Sequence, residues 1–131
     1  MGAMYLSEIE EYCKNIKHFR GVFLRDNLPK YPLNTEIGIL NLDSVENSGT
    51  HWTLYFKNEE NNICFYFDSF GHRPPTELIN YLQNDIWYST FQLQELNTKY
   101  CGHLCVILVG LIDKLKNFPK AVYYLVELLD K

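Results

Sequence analysis

Residues 50–57, "THWTLYFK", alternate with period two, so Trp52, Leu54 and Phe56 share one face of a strand and His51, Thr53 and Tyr55 the other. "ICFYFDSF" (63–70) is a second strand, joined to the first through "NEENN" in a hairpin-type connection. "IGILNLD" (37–43) precedes them as a strand closed by the turn "VENSG", and "IWYSTFQLQ" (86–94) alternates as a further strand. Helical spacing appears over residues 7–18, with Ser7 as cap, Glu10 at capping-box distance and Ile9, Tyr12, Cys13 and Ile16 as the apolar stripe. A second helix follows Pro74-Pro75 over about 76–84. Residues 101–117, "CGHLCVILVGLIDKLKN", are apolar nearly all round for three turns, which predicts a buried central helix. Pro119 is expected to end it, ahead of a final amphipathic helix. Residues 19–36 carry Gly21, Pro29 and Pro32 and read as an irregular loop with one short extended piece.

The order is helix, three strands, helix, strand, buried helix, helix. Hairpin-linked strands with segregated helices give an α+β class: a mixed, mainly antiparallel sheet of about four to five strands packed against a buried helix that starts at Cys101. The 131 residues form one domain, 1–131, with Met1, Gly2 and Ala3 read as a vector remnant ahead of Met4. An apolar content of 47%, of which aromatics supply a large share, is enough for a substantial core.

Charge and cysteine usage narrow the partners. A net charge of -4 argues against a general nucleic-acid binder, which needs clustered Lys and Arg. No apolar run is long enough for a membrane span, and the N-terminus lacks the apolar core of a signal peptide. Cys13, Cys64, Cys101 and Cys105 are unevenly spaced in apolar surroundings, as expected of reduced thiols in an intracellular protein.

Cys101 opens the most apolar helix. Unpaired N–H groups and the helix dipole favour an anion there, and a thiolate is such an anion. Cys101 reads either as a nucleophile, with Gly102 leaving its approach open, or as a small core residue like Cys105. Pairing of the hairpin arms brings His51, at the head of one strand, to the same sheet edge as Asp68, near the end of the next. A carboxylate on one imidazole nitrogen favours the imidazolium, which in turn favours a thiolate. Taken singly, His51 is polar decoration and Asp68 a solvated strand end. Gln94, seven residues before Cys101, could face an oxyanion beside the Cys101 N–H; taken alone it is a surface glutamine. Gln92 shares its face and stays a rival. His72 and Arg73, in the turn after Asp68, read as a solvated loop, with substrate contact as the alternative. A zinc site from Cys101, His103 and Cys105 fails because residue i+2 points about 200° around a helix from residue i.

The ordered set "GTHW", "FYFDSFG", a glutamine and "YCGHLC" resembles the signature of the adenovirus-type maturation proteases (adenain) and the related SUMO-specific proteases, over about residues 19–110. "FRGVFLRDNLP" (19–29) is similar to an N-terminal segment common in viral and large-transposon members. The resemblance implies a cysteine protease with the adenain-like fold. It assigns His51 as general base, Asp68 as third triad member, Gln94 as oxyanion-hole donor and Cys101 as nucleophile, with Gly102 and Trp52 lining the substrate channel; read from the residues alone, Trp52 is equally an ordinary core tryptophan. It implies no metal and no cofactor.

The implied function is a cysteine endopeptidase that cuts viral or mobile-element precursor proteins near glycine-containing sites. Alternatives are a deconjugating protease for a ubiquitin-like modifier and a non-catalytic, protease-like binding module. The implied partners are a protein or peptide substrate and, as a candidate, an activating peptide; neither a membrane nor nucleic acid is expected. The implied location is intracellular, in the host cytoplasm or nucleus, with packaging in virions as a further option.

Overall fold

A computed structural model describes residues 6–42, 51–60, 62–90 and 101–129. The elements run α1 (Leu6–Cys13), β1 (Phe19–Leu24), β2 (Glu36–Asn41), β3 (Trp52–Asn58), β4 (Ile63–Phe67), α2 (Thr76–Leu82), β5 (Ile86–Tyr88), α3 (Cys101–Leu115) and α4 (Phe118–Leu129). The class is α+β, built on one five-stranded mixed sheet of order β1-β2-β3-β4-β5. The two central pairings, β2–β3 and β3–β4, are antiparallel, while both outer strands pair in parallel. The expectation of a mainly antiparallel sheet is therefore met only in the centre. The difference arises because β1 and β5 each reach their neighbour through a helix or long loop, which returns a strand in the same direction.

The alternation in β3 sorts its side chains as predicted. Trp52, Leu54 and Phe56 join Ile37, Ile39 and Phe67 under α1, α3 and α4. Tyr55 joins Leu40, Cys64 and Tyr66 on the opposite face, beneath Leu78, Tyr81 and Leu82 of α2. The sheet thus lies between two helical layers, which explains why every residue of β2 is buried. The helix-facing layer on the α3 side also takes Ile9 and Cys13 of α1, Phe118, Ala121, Val122 and Leu125 of α4, and Cys101, Leu104, Cys105, Leu108, Val109 and Ile112 of α3.

Local chemistry sets most of the boundaries. Helix α1 starts at Leu6, which puts Ser7 inside the first turn instead of at the cap. It ends at Cys13, short of the expected residue 18: the Ile16 N–H turns back onto the Cys13 carbonyl at 3.0 Å, and His18 then leads the chain through a left-handed φ of 68° into β1. The loop expected over residues 19–36 supplies the edge strand β1 as its extended piece. Lys116, at φ 56°, ends α3 with its N–H on the Ile112 carbonyl. Pro119 therefore does not terminate that helix. It sits in the first turn of α4, where its missing N–H costs nothing, while Asn117 Oδ1 accepts the Lys120 N–H at 3.0 Å. Helix α3 buries one broad face and not its whole circumference, since Ile107 is 44% exposed.

At one end of the sheet, Glu36 is fully buried and accepts from Tyr55 Oη at 2.6 Å, Tyr81 Oη at 2.8 Å and the Leu33 N–H at 2.6 Å. Arg20 lies 3.6 Å from the same carboxylate. The Tyr55 ring reaches it by lying across the bare backbone of Gly38, its cross-strand partner. No helix among the described residues is long and apolar enough to cross a membrane.

Candidate active site

The sheet end opposite Glu36 collects the chemistry. His51 immediately precedes β3, and its carbonyl accepts the Leu42 N–H at 3.1 Å, which carries the β2–β3 ladder one residue further. The histidine backbone is therefore held by the sheet. Asp68 immediately follows β4. Its carbonyl accepts the Gly71 N–H at 2.8 Å, closing a tight turn "DSFG". Gly71 takes a φ of 77°, a conformation that a side chain disfavours. Asp68 Oδ1 accepts the Phe70 N–H at 2.8 Å, so the side chain is clamped by its own turn.

From opposite arms of the hairpin, His51 Nε2 and Asp68 Oδ1 meet at 2.8 Å. The aspartate side chain is inaccessible to solvent, while the histidine ring keeps 17% of its surface. Asp68 Oδ2 has His72 Nδ1 at 3.9 Å. His72 is well exposed, yet it stands next to the buried carboxylate. Arg73 is exposed.

Cys101 is the first residue of α3, and its Sγ accepts the Trp52 backbone N–H at 3.3 Å. His51 and the sulfur also share a hydrogen bond. Since Nε2 is held by Asp68, the nitrogen left for the sulfur is Nδ1. The structure thus brings His51, Asp68 and Cys101 together. Gly102 follows in the first turn of α3, buried, with its N–H on the same sulfur. Trp52 is 5% exposed and packs in the core cluster, as an ordinary core tryptophan would, and what it offers the sulfur is its main chain. Gln92 and Gln94 lie outside the described residues.

Burial alone would disfavour charge at both partners. For His51, the hydrogen bonds to Asp68 and Cys101 and the charges of both outweigh that burial and lift its pKa to about 9. For Cys101, burial is likewise outweighed by the hydrogen bond to His51, the Trp52 N–H, the imidazolium charge and the Gly102 N–H, and the thiol falls below its ordinary value. The other cysteines go the other way. Burial pushes Cys13 to about 11, raises Cys64, and raises Cys105 well above the usual thiol range. All four are free. Among the described residues no group of three His, Cys, Asp or Glu side chains is arranged to hold a metal ion.

One contact in the site has no counterpart in the sequence argument: the Phe70 ring stacks on His51 with centroids 4.6 Å apart. The signal available was an aromatic two residues after the acid, in register opposite His51 if the hairpin pairing is carried past its last bridge. No protein-family model matches the chain, and no curated protein matches it either.

Proposed function

We propose that the chain is a cysteine endopeptidase with Cys101 as nucleophile, His51 as general base and acid, and Asp68 as the residue that orients and charges His51. The observation that carries this is the contact of His51 Nε2 with the buried Asp68 carboxylate at 2.8 Å, beside a sulfur held at the start of α3. An adenain-like core is the finer fold this reading assigns, on the strength of the residue order His51, Asp68, Gln94, Cys101.

The chemistry is acyl transfer. The Cys101 thiolate attacks a scissile carbonyl, and the negative charge passes to the carbonyl oxygen. Gln94 and the backbone N–H of Cys101 are the donors assigned to that oxygen. The C–N bond then breaks as the imidazolium of His51 delivers its proton to the leaving amine. Water attacks the thioester as His51 takes one of its protons, and the Cys101 thiolate is expelled, releasing the acid and restoring the thiolate–imidazolium pair. The substrates assigned are viral or mobile-element precursor proteins cut near glycines, inside an infected cell or the assembling particle.

The test is incubation of the intact chain and of Cys101→Ala with short glycine-containing peptides and with full-length ubiquitin-like fusions. Cleavage of the peptides by the intact chain alone supports this reading. Cleavage of the fusions alone moves the assignment to modifier processing. Cleavage of neither, with Cys101 inert to alkylation at neutral pH, leaves a binding module.

A further inference from the structure

Three ring systems line up over the turn that follows β4. His51 and Phe70 stack 4.6 Å apart, with planes 17° from parallel. Phe70 and His72 stand 6.1 Å apart and tilted by 46°. The Phe70 N–H also binds Asp68 Oδ1 at 2.8 Å, and this is the oxygen that holds His51 Nε2. One residue therefore touches both members of the dyad: its main chain fixes the carboxylate and its ring fixes the imidazole. The imidazole torsion is broad and weakly restrained by its own bonds. A ring laid on its face restricts that swing. The face of an aromatic ring also carries the negative part of its quadrupole, so it attracts a cation.

We propose that Phe70 is the positioning residue of this site: its ring holds His51 in the orientation that joins Asp68 to Cys101 and stabilises the charged form of that histidine. The inference deepens the protease assignment and rests on its pairing of Cys101 with His51. Among the described residues, the titratable groups facing His51 are Asp68 from the end of β4 and Cys101 from α3, with His72 reaching it only through the second oxygen of Asp68. The backbone N–H survives any substitution except proline, so side-chain replacements isolate the stacking.

The experiment is alkylation of Cys101 by iodoacetamide, followed by mass spectrometry across about pH 4 to 10, which spans thiolate formation. It needs no substrate, so it reports on the pair whether or not peptides are cut. Phe70→Leu keeps the apolar volume and removes the aromatic face. Its acid limb is expected to move up by roughly half a pH unit, the scale of a partly exposed cation–π contact, and its rate on that limb to drop by about threefold. Phe70→Tyr and Phe70→Trp are expected to restore the parental limb. A folded Phe70→Leu chain with the parental limb overturns the proposal; if that variant does not fold, Phe70→Met carries the same comparison. Equal labelling of Cys101 and Cys105 in the parent chain removes the thiolate–imidazolium pair itself, and this inference with it.

Discussion

The Trp52 backbone N–H donates to Cys101 Sγ across 3.3 Å, linking the first residue of β3 to the first residue of α3. The two are 49 positions apart, and the contact fixes the sulfur relative to the sheet that carries His51. An N–H aimed at sulfur favours the anion, and it cannot be deleted by changing the Trp52 side chain.

The four cysteines are therefore expected to react very differently. Cys101 has a lowered thiol pKa, while Cys13, Cys64 and Cys105 are raised. Brief treatment with an alkylator at neutral pH should label Cys101 alone, read by peptide mapping. His51→Ala should slow that labelling by roughly tenfold or more, because each pH unit of thiol shift changes the thiolate fraction about tenfold below the pKa. Equal rates in the two chains would contradict the pairing.

Activity should follow a bell. It rises as pH climbs through the lowered Cys101 value, since the attacking species is the thiolate, and falls through about 9 as His51 loses the proton it must donate. Asp68→Asn keeps an acceptor for Nε2 and removes the charge. The alkaline limb is then expected to move down toward the ordinary imidazole range, measured as kcat/KM against pH. A limb that stays near 9 would show that Asp68 is not what holds the proton on His51.

The hairpin half of this site was legible in the sequence and the rest less so. His51 and Asp68 sit on arms whose alternation and turn fix the register, so their meeting follows from local pattern. The parallel pairing of β1 was not legible, because direction depends on the long connection over 25–35 and Gly21, Pro29 and Pro32 say only that the chain is irregular. The burial of α3 was overestimated for a similar reason. Apolar composition does not tell which face lacks a neighbour, and Ile107 is on that face. The Phe70 stack depends on a turn conformation that the letters "DSFG" permit without requiring.

The glutamines allow a direct comparison. Gln94→Ala is expected to reduce kcat by roughly a hundredfold or more with KM little changed, the usual consequence of losing one oxyanion donor. Gln92→Ala is expected to leave kcat close to the parent. The opposite pattern would transfer the role to Gln92.

Stability should respond at the far end of the sheet. A methyl group at position 38 would overlap the Tyr55 ring, which is itself tethered to the buried Glu36. Gly38→Ala is therefore expected to cost about 1–3 kcal/mol, as overpacking does, measured by urea denaturation. Because Gly38 lies beneath the face opposite α3, the folded fraction of that variant should still alkylate at Cys101.

The division of the site between a hairpin and a later helix sets the order in which its reactive groups are assembled. His51 and Asp68 are brought together by two neighbouring strands, and the sulfur arrives on α3, behind a further helix and strand. Until that helix docks against β3, the thiol lacks both the Trp52 N–H and the imidazole, and its nucleophilicity is ordinary. Reactivity is thus switched on only when α3 docks, after the strands carrying His51 and Asp68 have been made, and fraying of α3 from the sheet would switch it off again.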